Sequence, residues 1–191
     1  MKKNRELKKL AKSQLHGSWL AAVGFVLVYC LLIGLSGAAV VGPLVLSGPL
    51  TVGFTGYFLR KARGENAELG NLFDGFQVFA ASFLVNLLIG IFTALWTLLF
   101  IIPGIVKSLS YSMSFFILRD NPKISATEAI TASRKMMKGY KWKLFRLYFS
   151  FIGWGILCIL SFGIGFLWLV PYISLTLANF YEEAKQNQKK R

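Results

Sequence analysis

The side chains able to do acid–base or metal chemistry are few in this chain. It has one histidine, His16, two cysteines, Cys30 and Cys158, and eight acids among 191 residues. They form no nucleophile elbow of the G-x-S-x-G type, no H-E-x-x-H pair and no phosphate-cradling glycine loop. No catalytic residue, cofactor-binding residue or metal ligand is assigned, no cofactor is expected, and the chain does not read as an enzyme. The polar residue that stands out is Lys107, a single cation inside a long apolar stretch. A lysine at the centre of a membrane helix costs roughly 2.5 to 3.5 kcal/mol and needs a compensating environment. Two readings stay open. Lys107 snorkels to the outer headgroups, or it faces the interior with Ser108, Ser110, Tyr111 and Ser112 and meets an anionic or peptide ligand. With Asn86 and Asn179, the other polar residues in apolar runs, Lys107 and Tyr111 make up the candidate intramembrane polar site. The bland alternative for the asparagines is hydrogen bonding that joins helices. Asp74, Asp120 and Glu128 fall at expected helix ends, where capping accounts for them.

A second candidate lies in the segment after Pro122. Ser125 and Glu128 have the S-x-x-E spacing of a capping box, and Gly139 supplies a helix exit. Between them Ala126, Ala129, Ile130, Ser133, Met136 and Met137 fall on one helical stripe, which continues to Tyr140. Arg134, Lys135, Lys138 and Lys141 lie on the other side. Such a helix is expected at the membrane interface, its stripe toward acyl chains or the bundle and its basic face toward anionic lipid. Nucleic acid is not an expected partner.

The elements that must position these residues follow from composition. Of the chain, 55% is hydrophobic and only 16% charged, yet the net charge is +14. A soluble nucleic-acid binder could not expose such long apolar runs, whereas a bilayer accepts them and leaves the cations in loops. About 20 apolar residues cross the hydrocarbon. Six segments, near 18–35, 42–59, 77–101, 104–118, 143–160 and 164–181, are expected to do so as three hairpins. The turns inside the hairpins, near 36–41, 101–104 and 161–165, carry no charge, and every basic residue but Lys107 falls in the charged segments before, between and after the hairpins, the third of which runs from Arg119 to Arg146 and so includes the first residues of the fifth span. The positive-inside rule then puts both termini in the cytoplasm of a multi-pass protein of the cytoplasmic membrane. Trp19, Tyr140 and Trp142 are expected at headgroup level. Gly34, Ala38 and Gly42 have the spacing that lets two helices approach closely, and the cysteines read as small packing residues.

The fold expected is therefore all-α: a polytopic transmembrane bundle of six spans in three hairpins, with cytoplasmic amphipathic interface helices, forming one membrane domain over 1–191. A short pattern also recurs before each hairpin, around Gly17, Gly75 and Gly139, and a proline follows each time, at Pro49, Pro103 and Pro171. This spacing predicts three parallel repeats, 1–60, 61–119 and 120–191, each an amphipathic helix, a glycine that ends it and a hairpin whose second helix starts at the proline. Glycines and prolines at ordinary helix boundaries would give the same pattern.

The run Ile102-Pro-Gly-Ile-Val-Lys-Ser-Leu-Ser-Tyr-Ser-Met113, then Asp120-Asn-Pro, Ser133-Arg-Lys-Met-Met-Lys-Gly139, Trp142-Lys-Leu-Phe145 and Gly163-Ile-Gly-Phe-Leu-Trp-Leu-Val-Pro-Tyr172, resembles the bacterial integral-membrane family known as domain of unknown function 975. The resemblance covers nearly the whole chain and implies location and fold. It carries no established activity. It also implies a distant likeness to the membrane part of glycerophosphodiester phosphodiesterases, without carrying catalytic residues onto this chain.

The function expected is non-catalytic action through contacts with anionic membrane lipids or a membrane-protein partner, including a second copy. The rival is a transporter, or an export or immunity factor, for lipids or small amphipathic peptides. A continuous polar cavity would distinguish the rival, and the scarcity of polar residues in the spans counts against ion or sugar transport.

Overall fold

The computed structural model describes residues 2–37 and 42–189. Helix makes up 84% of it, and no strand occurs among the described residues. In chain order the elements are α1 (Asn4–Leu15), α2 (Trp19–Ser36), α3 (Gly42–Arg63), a 3-10 helix (Leu69–Val78), α4 (Phe79–Leu99), α5 (Ile101–Tyr111), α6 (Ser114–Asp120), α7 (Ala126–Met136), α8 (Lys141–Phe149), α9 (Ile152–Leu160) and α10 (Phe166–Lys189).

Four stretches are long and apolar enough to cross a membrane: Trp19–Ser36, Leu69–Leu99, Ile101–Asp120 and Lys141–Leu160. The expected spans at 42–59 and 164–181 correspond to α3 and α10, which do not reach the same apolar content. The physical reason lies in their positions. From 45 to 62 in α3 and from 169 to 185 in α10, no residue is exposed. These two helices pack on each other and on α2, with α4 and α6 against α3 and with α1 and α9 against α10. A helix sheltered on every side can carry threonine, glycine and asparagine where a helix facing lipid cannot. The outer helices show the complement. Only 11% of the most apolar part of the Leu69–Leu99 stretch is buried, and Leu98, Ile102, Trp154 and Leu160 stand exposed.

The core between α2 and α3 is aromatic. Phe25 stacks on Tyr57 with ring centroids 3.7 Å apart and meets Phe58 edge-on at 6.0 Å. Close approach depends on Gly42, one of the glycines expected for it, and on others outside that stripe. A Cβ on Gly53 would fall on the Leu72 carbonyl, one on Gly75 on the Pro49 carbonyl, and one on Gly48 on the Ser82 carbonyl. Side-chain-free positions on α3 thus let the 3-10 helix and α4 lie directly on its backbone. Of the expected stripe, Gly34 has nothing within reach of a Cβ, whereas a Cβ on Gly42 would fall on the Ser36 carbonyl at the end of α2. Ala38, with most of the 36–41 turn, lies outside the described residues.

Two expected spans are each divided. The fourth is α5 and α6, separated at Ser112–Met113, and the fifth is α8 and α9, separated at Ser150–Phe151. Pro49 and Pro171 lie inside α3 and α10 instead of starting them, while Pro103 stands in the first turn of α5 as expected. Gly17 and Gly139 take positive φ, +81° and +87°, and end α1 and the α7 segment. Gly75 is not in that region and sits within the 3-10 helix, so the three glycines do not play one role. α4 turns back into α5 at Phe100, and α9 into α10 through Phe162 and Gly163, both with positive φ. Phe162, 98% exposed, forms the tip of that turn. Cys158 is buried and Cys30 exposed.

Candidate functional site

The site is built on α7. Its N-terminus is closed by reciprocal bonds. The Ser125 Oγ accepts the Glu128 amide at 3.3 Å, and the Glu128 carboxylate accepts the Ser125 amide at 3.0 Å and its hydroxyl at 2.8 Å. The Ser125 backbone and hydroxyl bonds hold the Glu128 carboxyl below the usual glutamate range, against a small opposing effect of burial. The stripe Ala126, Ala129, Ile130, Ser133, Met136 and Met137 is buried and packs on α4, α5 and α6. The apolar side of this helix therefore faces the bundle.

Ser133 does more than fill space. Its hydroxyl donates to the Ser110 carbonyl at 2.8 Å and accepts the Met113 amide at 3.2 Å. These are the backbone groups on either side of the α5–α6 division. Peptide groups left open in a buried place cost about 1 to 3 kcal/mol each, and α7 supplies what the interrupted ladder has lost.

The opposite side of α7 carries Thr131, Arg134, Lys135 and Lys138. The turn at Gly139 then brings Lys141 alongside at the start of α8. α5 packs against both α7 and α8 and contributes Lys107 and Ser110. Together these seven residues line one cleft of about 420 Å³. Lys107 is half-buried, and its Nζ lies 4.3 Å from the centre of the Trp96 ring, a cation–π contact. Sequence reasoning assigned Lys107 to one candidate site and Arg134, Lys135, Lys138 and Lys141 to another, and the fold joins them. Lys107 accordingly turns toward the side of the bundle that carries α7. Among the described residues, none of these five cations has a carboxylate within ion-pair distance.

The remaining members of the intramembrane group lie elsewhere. Tyr111 is buried beside the Phe92 ring. Asn86 donates to the Ser47 hydroxyl at 2.9 Å and ties α4 to α3, while Asn179 donates to the Gln14 side chain at 2.7 Å and ties α10 to α1. Lys107 and these three residues do not form one patch.

The acids act differently from the capping role expected of Asp74 and Asp120. Asp74 pairs with Arg119 at 2.7 Å and Arg60 at 3.4 Å. Asp120 has a side chain only 6% exposed. It pairs with Arg63 at 2.8 Å and with Lys185, and accepts the Tyr181 hydroxyl at 2.8 Å. Arg63 also holds Glu182 at 2.6 Å. The ends of α3, α6 and α10 are fastened by this network. Sequence reading missed it because its members are distant along the chain.

A second cavity, about 500 Å³, runs beside α2, α9 and α10 and is apolar, with Trp19, Trp154 and Trp168 among its walls and Lys12 at its edge.

Fold and site together define an all-helical protein with four helices fit to cross a membrane and a cationic cleft fit to receive an anion. The chain belongs to the family described as "Protein of unknown function (DUF975)", which matches residues 1–110 and 98–188. No curated protein and no solved structure matches it, so the implied likeness to glycerophosphodiester phosphodiesterases gains no support.

Proposed function

We propose that the chain is a non-catalytic multi-pass protein of the cytoplasmic membrane that binds anionic lipid headgroups. In this reading α3 and α10 cross the bilayer with the four more apolar stretches, giving six spans with both termini inside. Sheltered central helices are compatible with that, because lipid need not accept their polar residues. The observation that carries the binding reading is the cleft where Lys107 meets Arg134, Lys135, Lys138 and Lys141, with no carboxylate among the described residues to balance them. Each lysine or arginine near an anionic leaflet contributes about 1 kcal/mol of attraction.

The test is lipid enrichment. Full-length protein is reconstituted in nanodiscs of phosphatidylcholine with a minor share of phosphatidylglycerol, and the lipids retained on the protein are measured. Enrichment of phosphatidylglycerol, reduced by joint replacement of Arg134, Lys135, Lys138 and Lys141 with glutamine, supports the reading. Retained lipid that mirrors the bulk mixture rejects it. Topology is checked separately by external thiol labelling of cysteines placed beside Gly64 and Ser125. Reagent reaching either position in intact cells would reverse the assigned orientation.

A further inference from the structure

Several features compete for an unassigned role. The tryptophan-lined groove beside α2 and α9 suits any acyl chain and selects none. The Asp74 and Asp120 clusters are already neutralised by their own partners. The cleft beside α7 differs from both, because its charge is unbalanced and its donors come from three helices.

The geometry points to a phosphomonoester, the doubly charged phosphate of a lipid headgroup, as the ligand of this cleft, an inference that rests on the anionic-lipid reading above. Three observations select that chemistry. First, Lys107, Arg134, Lys135, Lys138 and Lys141 share one space of about 420 Å³ without a carboxylate among the described residues. A singly charged phosphodiester would leave most of that positive potential in place. A phosphomonoester carries about −1.5 to −2 charges near pH 7, offers three strong acceptor oxygens, and is driven to its fully ionised form by adjacent cations. Second, the donors suit that geometry. Arg134 can grip two oxygens side by side, the lysines act as movable point charges, and Thr131 adds a hydroxyl. Third, the residues next in the chain to two of the lining lysines are apolar and exposed: Val106 precedes Lys107, and Trp142, 66% exposed, follows Lys141. Exposed apolar side chains on the same helices as the cationic lining suit the acyl chains of a lipid, for which a free ion has no use. Lys107 is the specific element, since it comes from the stretch Ile101–Asp120, fit to cross a membrane, and adds charge from the side opposite the α7 face.

The experiment uses the full chain in phosphatidylcholine nanodiscs containing equal minor shares of phosphatidic acid, the phosphomonoester, and phosphatidylglycerol, the phosphodiester. Lipids retained on the protein are measured across pH. Wild type is expected to enrich phosphatidic acid over phosphatidylglycerol by about tenfold, equivalent to about 1.4 kcal/mol, and the preference should grow as pH rises through the second phosphate ionisation near 6. Lys107→Gln should remove the preference. Lys107→Arg, which keeps the charge, should retain it, and so should Lys123→Gln, a loop cation away from the cleft. Loss of the preference in Lys107→Arg or Lys123→Gln as well would overturn the assignment to Lys107. Equal enrichment of the two lipids in wild type overturns the phosphomonoester and leaves the anionic-lipid reading standing, whereas enrichment of neither overturns both. Displacement of phosphatidic acid by inorganic phosphate at comparable concentration overturns the lipid source and assigns the cleft to a soluble phosphate.

Discussion

Two regions of the bundle concentrate charge, and they handle it in opposite ways. At the ends of α3, α6 and α10, each of Asp74 and Asp120 is shared between two cations. The charges there are satisfied internally, and helices distant along the chain are fixed to one another. Beside α7, five cations converge with no acid opposite among the described residues. A protein could leave such a cluster spread over solvated loops. Here α7 is docked by its apolar stripe and Ser133, which holds the cations in a fixed cleft. Charge in the first region ties helices together, and charge in the second is what the proposed lipid ligand would meet.

The largest effect is expected of Asp120→Asn. Removing the Asp120 carboxylate leaves Lys185 without its ion pair and Arg63 with Glu182 alone, and the loss of hydrogen bonds between charged groups costs about 1.5 to 3 kcal/mol. A large drop in the thermal unfolding temperature of the detergent-solubilised protein is expected. An unchanged melting curve would mean the network is ornamental. Next in size is Ser133→Ala, which leaves the Ser110 carbonyl and the Met113 amide without their partner and should cost about 1 to 3 kcal/mol. Hydrogen exchange should speed up at Met113 while the ends of α3 and α10 stay protected. Uniform loosening of the whole chain would contradict the local role.

Ser125→Ala removes the N-cap of α7 and should cost about 1 kcal/mol. The same cap has a pH dependence of fixed sign. Glu128 titrates below its ordinary range when folded, so its contribution is present above the usual glutamate pKa and is lost as pH falls through its depressed value. Fraying of α7 in acid, absent in Glu128→Gln, is the expected observation. The smallest effect, and the one of opposite sign, belongs to Lys138→Gln. Relieving repulsion among unbalanced cations should raise stability in a zwitterionic detergent by up to about 0.5 kcal/mol, while enrichment of anionic lipid falls. A fall in stability would show that the cleft cations hold the fold after all.

What the residues revealed in advance divides along the same line. The α7 helix was legible because its signals are local: Ser125 and Glu128 cap it, and its buried stripe follows helical spacing. The start of α2 at Trp19 was readable from the change in composition. The ion network was hidden because Asp120 meets Arg63 and Lys185 only through tertiary packing. The divisions at Ser112–Met113 and Ser150–Phe151 were hidden for another reason. A serine within an apolar run is as compatible with a continuing helix as with a break, and what stabilises the first break is Ser133, on a different helix. The cleft was half legible. Its cations were recognised as two groups, but nothing local says that α5 passes beside α7. The small residues that govern close packing, Gly48 and Gly53, were overlooked in favour of a regular four-residue stripe, because neighbours and not spacing decide where a Cβ is forbidden.

The double bond made by Ser133 has one further consequence, for how permanently α7 is attached. Many basic amphipathic helices come and go from a membrane surface as lipid composition changes. This one cannot leave without uncovering two peptide groups at a joint poor in water. It is therefore a structural strut, and whatever binds its outer face meets a rigid, preformed receptor in place of a segment that must first be recruited.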